Sequence, residues 1–199
     1  GQLVVEYTVQ LPGVAQSEVG RASGSLTSAA WSLQGPLAVK GHLQQIDLAT
    51  VLKPYVSRGT IQGDFMHRWD STQGPQAALN GEGTMKADIT DLVVERIGPN
   101  PSANSSLTFN QIHAVFTCHD GACDVTDLKG DGVDGSFSAQ GHVTLREPLQ
   151  HSLLDLTVTV IPGAGFAQKA ASLSLPPFQP GAPLTFKLVG PIIQARVAL

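Results

Sequence analysis

Residues 135–160, GSFSAQGHVTLREPLQHSLLDLTVTV, alternate between apolar and polar side chains with a period of two. From Phe137 to Leu145 every second residue is apolar or glycine, and after a break at Glu147-Pro148 the alternation resumes from Leu154 to Val160. A period of two places the apolar side chains on one side of a β-strand and the polar ones on the other. The stretch therefore predicts half-buried antiparallel strands with one apolar face.

The same alternation recurs along most of the chain, for example over residues 3–11, 79–89 and 184–188. With 21 Gly and 13 Pro, the composition is typical of many short strands joined by turns. We predict an all-β fold with one large, strongly curved and mainly antiparallel sheet, arranged as an open trough or like a sandwich. One or two short helices accompany it, the first after the N-cap residue Asp47 and the second near Phe166.

A weak internal repeat supports a sheet built from similar strands. Residues 35–43, GPLAVKGHL, and residues 135–143, GSFSAQGHV, share the pattern G-x-[LF]-x-[VA]-x-G-H-[LV]. A glycine inside a strand marks a bulge, a sharply coiled sheet or the close approach of another backbone. His42 and His142 fall on the polar side of both repeats, which predicts that they face solvent.

We predict a single domain over residues 1–199. The best candidate for a long loop is GPNPSANSS, residues 98–106, which divides the chain near its middle. We expect one sheet to continue on both sides of this loop.

The two cysteines, Cys118 and Cys123, flank a short loop, HDGA, that predicts a hairpin turn. Cross-strand partners beside such a turn are close enough for a disulfide, which indicates an oxidising compartment. Two alternatives stay open: a pair of reduced thiols, or metal binding together with His119. A single C-x4-C pair is a weak zinc signal, so we predict no metal site.

Charge and motifs exclude several classes of function. The net charge is −4, and the 12 Lys and Arg are scattered singly, which argues against nucleic acid as a partner. Asp127, Asp131 and Asp134 lie among glycines, but the order of calcium ligands is missing and hairpin turns explain them. No catalytic motif is present, so we predict a protein that is not an enzyme and has no cofactor.

The apolar sides of the best strands carry no Lys, Arg, Asp or Glu. These side chains line either an apolar groove or a packed core, because both need one apolar face. The candidate residues are Met85, Ile89, Phe116, Phe137, Val143, Leu145, Leu154, Leu156, Val158 and Phe186.

Several stretches together resemble the type II secretion system protein N family. They are GPLAVKGHLQQIDLATVL from residue 35, RGTIQGDF from 58, LNGEGTMKADITDLVVERI from 79, GSFSAQGHVTLREPLQHSLLDL from 135 and LTFKLVGPI from 184. The resemblance covers roughly residues 20–199 and rests on strand patterns. It extends to AsmA-type and TamB-type proteins, in which a coiled β-sheet forms a trough with an apolar inside.

This resemblance implies a periplasmic domain held at the bacterial inner membrane by an N-terminal anchor that precedes Gly1. It implies a non-catalytic subunit of the type II secretion system that acts through contacts with other secretion components. The alternative function is a lipid-binding or lipid-transfer trough, with phospholipid as its partner. The resemblance supplies no catalytic residues.

Overall fold

The computed structural model describes residues 1–15, 18–95, 106–163, 165–166, 169, 179 and 181–198. These residues form eleven strands and one short helix, α1. The elements are β1 (Leu3–Ala15), β2 (Glu18–Ser28), β3 (Pro36–Asp47), α1 (Leu48–Val51), β4 (Val56–Asp70), β5 (Glu82–Val94), β6 (Leu107–His119), β7 (Ala122–Gly132), β8 (Gly135–Thr144), β9 (Leu153–Pro162), β10 (Leu184–Pro191) and β11 (Arg196–Ala198).

All eleven strands belong to one sheet whose spatial order is the chain order, β1 to β11. Every neighbouring pair is antiparallel. The predictions of an all-β fold and a mainly antiparallel sheet are therefore confirmed. Each strand pairs with the strand that precedes it in the chain, as expected of a meander.

The predicted strong curvature is not found, since the described strands form an open sheet that is neither closed nor strongly curled. The glycines that suggested it serve close packing instead. A side chain at Gly63 would place its Cβ 2.1 Å from the Lys86 carbonyl oxygen on the next strand, so only hydrogen fits there.

Helix α1 begins where the sequence predicts. The Asp47 carboxylate accepts hydrogen bonds from the Ala49 N–H at 2.9 Å and from the Thr50 hydroxyl at 2.8 Å, which caps the first turn. Leu48 is buried, and α1 packs against β4. Within the described part of the chain, no helix is long and apolar enough to cross a membrane.

Antiparallel strands place their connections alternately at two ends of the sheet. The upper end, as we call it, holds the β2–β3, β4–β5, β6–β7, β8–β9 and β10–β11 connections, and α1 lies at the lower end. The predicted loop at residues 98–106 falls outside the described residues except for Ser106, and the predicted helix after Phe166 falls largely outside them.

Candidate functional site

One side of the sheet is apolar along its full width. The pairing registers align residues of successive strands into cross-strand rows, and four rows near the middle of the strands contain no Asp, Glu, Lys or Arg. We call the surface formed by these rows the apolar face.

The longest row of the apolar face crosses all eleven strands: Tyr7, Gly24, Gly41, Phe65, Met85, Phe116, Val125, Gly141, Leu156, Leu188 and Val197. The row below it crosses ten: Val9, Ala22, Leu43, Gly63, Ala87, Ala114, Leu128, Ala139, Val158 and Phe186. The row above it also crosses ten: Val5, Leu26, Val39, His67, Gly83, Cys118, Cys123, Val143, Leu154 and Gly190. The lowest row crosses β3 to β10: Ile46, Ile61, Ile89, Ile112, Gly130, Phe137, Val160 and Leu184.

Two hydrophobic clusters cover the β4–β10 part of the apolar face. One surrounds the buried Leu92 and Ile112, and the other surrounds the buried Val125 and Leu156. Leu128 contacts both clusters, so they form one continuous layer of side chains. These side chains pack laterally against their cross-strand neighbours, which is the main packing contact available on a single sheet.

The β1–β4 part of the apolar face is more open. Val5 and Val9 of β1 are 43% and 49% exposed, whereas Val125 in the β7 part of the same face is 3% exposed. Leu26, Val39, Leu43 and Phe65 are half-buried. The face is therefore closed by its own side chains around β7 and open toward β1.

Aromatic rings lie over glycines in this open part. A Cβ at Gly41 would meet the Tyr7 hydroxyl oxygen at 2.4 Å and the Phe65 ring at 2.7 Å, so both rings occupy the space above that glycine. The Tyr7 hydroxyl donates to the Lys40 carbonyl oxygen at 3.5 Å, and burial raises the pKa of the Tyr7 phenol. The rings lie across the sheet because the glycines beneath them have no side chains, which keeps the face shallow.

Nine of the ten predicted groove or core residues lie on this face. Six of them belong to the cluster around Val125: Phe116, Val143, Leu154, Leu156, Val158 and Phe186. Ile89 and Phe137 belong to the cluster around Ile112, and Met85 lies between Phe65 and Phe116 in the longest row. Leu145 directly follows β8 at the upper end and is half-buried.

Cys118 and Cys123 form a disulfide across the β6–β7 hairpin, as predicted. They are direct cross-strand partners within the row that contains Val143 and Leu154. The bond therefore joins two strands within the apolar face. Asp134, predicted to lie in a turn, joins β7 to β8, and its side chain is buried against Lys169.

His67 is a residue of this face that the sequence analysis did not single out. Its Nε2 donates to the Ala78 carbonyl oxygen at 2.6 Å, and its ring stacks on Trp69 with centroids 5.5 Å apart. The sequence does carry a signal for this position, because Phe65, His67 and Trp69 share one parity in DFMHRWD.

The opposite side of the sheet carries cross-strand histidine–aspartate pairs. His42 Nδ1 lies 2.8 Å from Asp64 Oδ1, and His142 Nδ1 lies 2.5 Å from Asp124 Oδ1. The two histidine side chains are 53% and 70% exposed, which confirms that they face solvent. The hydrogen bond from His142 is the main cause that lowers the pKa of Asp124. Among the described residues, no group of three or more His, Cys, Asp or Glu side chains is arranged to hold a metal ion.

No family model, no curated protein and no solved structure matches this chain.

Proposed function

We propose that this protein is a non-catalytic lipid-binding protein whose apolar face holds the acyl chains of a phospholipid. The observation that carries the proposal is the set of four cross-strand rows without a formal charge, the longest of which crosses all eleven strands. A surface of this kind suits acyl chains, because they need apolar contact and no directional polar groups.

Burial supports an apolar ligand on the β1–β4 part of the face. Around Val125 the side chains already shield one another from water, so an added ligand gains little there. At Val5 and Val9 about half of each side chain meets water. Contiguous exposed apolar surface is rare on a monomer and marks an interaction site. An acyl chain lying there would bury apolar area at about 25 cal/mol per Å².

The direct test is the lipid content of the protein purified without detergent from the bacterial periplasm. We expect native mass spectrometry to find phospholipid at near-stoichiometric occupancy, and solvent extraction to identify it. Val9→Asp places a charge on the open β1–β4 part of the apolar face and is expected to abolish the bound lipid. Thr8→Asp, the preceding residue on the opposite side of the strand, is the matched control and is expected to keep it.

Both variants must first give a wild-type circular dichroism spectrum and a cooperative melt. A clean ligand-free mass for the wild type contradicts the proposal. Equal loss of lipid in both variants contradicts the role of the apolar face, because the charge would then act regardless of the side on which it lies.

A second candidate function is a subunit of the type II secretion system, the role that the sequence resemblance implies. The observation that favours it is the edge strand β1, which is 13 residues long and, among the described residues, pairs on one side with β2. Natural sheets protect such edges with lysines, prolines or short strands. β11 is protected because it has three residues. In β1 the one proline, Pro12, follows nine residues, 3–11, that contain a single charge, Glu6.

An extended segment of another secretion component would add to β1 as a further strand. The disulfide fits the oxidising periplasm in which such a complex assembles. Crosslinking with mass spectrometry against purified secretion components tests this function. We expect crosslinks at β1 that disappear in Val4→Lys/Thr8→Lys, two exposed edge positions, while the bound lipid stays. Crosslinks confined to other elements contradict this mode of binding.

A further inference from the structure

The connection between β2 and β3, residues 29–35, presents large apolar side chains to water. Trp31 is 76% exposed and Leu33 is 57% exposed. We call these residues the tip loop. It lies at the upper end of the sheet, where the row Leu3, Ser28, Leu37 and Trp69 ends the apolar side.

Two serines beneath the tip loop form hydrogen bonds with its backbone. The buried Ser28 hydroxyl donates to the Ser32 carbonyl oxygen at 2.6 Å. The Ser71 hydroxyl contacts the Leu33 carbonyl oxygen at 2.9 Å and accepts from the Gly35 N–H at 3.0 Å. The fold therefore fixes the loop backbone from inside and leaves the indole and the leucine side chain outside.

These contacts suit the loop to a lipid interface. A backbone group that enters a bilayer without a hydrogen-bond partner costs free energy, but the carbonyl groups of Ser32 and Leu33 already have partners within the protein. Tryptophan favours the bilayer–water boundary because its ring is apolar and its N–H is polar. The 18 residues from Ala22 to Val39 include no charged side chain. The loop thus matches a neutral, zwitterionic surface.

We propose that the tip loop inserts Trp31 and Leu33 into the interface of a zwitterionic bilayer and brings the upper end of the apolar face to the lipid. The second half of this inference rests on the proposed lipid-binding function. Insertion itself depends on the tip loop alone. Because the contact is apolar, we expect binding to phosphatidylcholine vesicles to persist at physiological ionic strength, unlike the binding of a basic patch.

The experiment follows Trp31 fluorescence in the Trp69→Phe background, where Trp31 is the single tryptophan. With phosphatidylcholine vesicles we expect a blue shift of the emission and quenching by brominated acyl chains. Trp31→Ala/Leu33→Ser is made in the wild type and is expected to lower the affinity for vesicles, measured by co-flotation, by at least about tenfold. The reason is that removing either large side chain takes away apolar contact that contributes about tenfold in affinity.

Val51→Ser/Tyr55→Ala is the matched control, because these residues are 57% and 55% exposed at the lower end. It is expected to keep wild-type co-flotation. All four substituted side chains are largely exposed, so folding is preserved and a melting curve checks it. Emission that stays unchanged with vesicles overturns the inference, as does equal weakening in both double variants. A tip loop that serves a protein partner instead gives the first of these results.

The lipid content of the purified protein separates this inference from the proposed function. If Trp31 inserts into vesicles but the mass spectrum shows no bound lipid, the insertion of the tip loop stands and the proposed lipid binding by the apolar face is refuted. If lipid is bound but Trp31 stays in water, the lipid binding stands and the insertion is refuted.

Discussion

Asp134→Ala is expected to destabilise the protein by about 3–5 kcal/mol, the range for breaking a buried ion pair by removing one partner. The Asp134 carboxylate is 5% exposed and accepts from the Lys169 ammonium at 2.8 and 2.9 Å. It also accepts from the Thr108 N–H at 2.9 Å, which ties the β7–β8 turn to the start of β6. The variant leaves a partly buried N–H without this acceptor and a partly buried ammonium without this partner.

The contributions explain the size of the effect. An unsatisfied buried N–H costs about 1–3 kcal/mol, and a hydrogen bond to a charged group contributes about 1.5–3 kcal/mol. Lys169 is 22% exposed, so water replaces part of the contact that its ammonium loses. We therefore expect the loss of stability to lie toward the lower end of the range of about 3–5 kcal/mol. Asp134→Asn keeps an oxygen for the Thr108 N–H and is expected to lose less.

Urea denaturation with an unchanged m-value measures the difference in the free energy of unfolding. Asp155→Ala is the control, because Asp155 and its partner Lys187 are 60% and 57% exposed, and exposed pairs contribute about 0–1 kcal/mol. A loss below about 1 kcal/mol for Asp134→Ala would refute the reasoning, since a buried pair would then behave as an exposed one.

Gly41→Val is expected to destabilise the protein by about 1–3 kcal/mol, because the Cβ of the valine would meet the Tyr7 and Phe65 side chains. A lower midpoint of urea denaturation checks this prediction, and an unchanged midpoint contradicts it. Reduction of the disulfide, or Cys118→Ser/Cys123→Ser, is expected to cost about 2 kcal/mol for so short a loop, and an unchanged melting curve would argue against it. His142→Ala is expected to raise the Asp124 pKa toward 3.8, as read by NMR titration of the carboxyl carbon. In the wild type the stability from this lowered pKa is present above pH 3.8 and is lost as the pH falls through the folded-state pKa. An Asp124 titration that is identical in both proteins contradicts the assigned cause.

Local alternation was sufficient to predict most of β1, β5, β8, β9 and β10, because each residue's side of the sheet depends on its parity. The repeat also has a structural counterpart: Gly41 and Gly141 occupy the same cross-strand row, and His42 and His142 each bind an aspartate of a neighbouring strand. A short repeat is informative here because the meander places equivalent strand positions in equivalent rows.

Parity fails where a bulge inserts a residue. Between Leu43 and Ile46, and again between Val125 and Leu128, the register shifts and the apolar side changes from odd to even numbers. Gln45 adopts a φ of 50°, a conformation that is uncommon for a residue other than glycine and that the local sequence does not predict. The shape of the sheet was also out of reach, because glycines that admit a neighbouring backbone look like glycines that bend a strand.

The exposed part of the apolar face, the long edge strand β1 and the tip loop all lie on the β1–β4 side of the sheet. The β6–β10 side holds the disulfide, the buried Val125 and the Asp134–Lys169 pair. Binding elements are drawn from the less stable part of a structure, since a ligand gains most where side chains still meet water. The proposed function uses this division, because the packed part of the face stabilises the fold and the open part is the place proposed for an acyl chain.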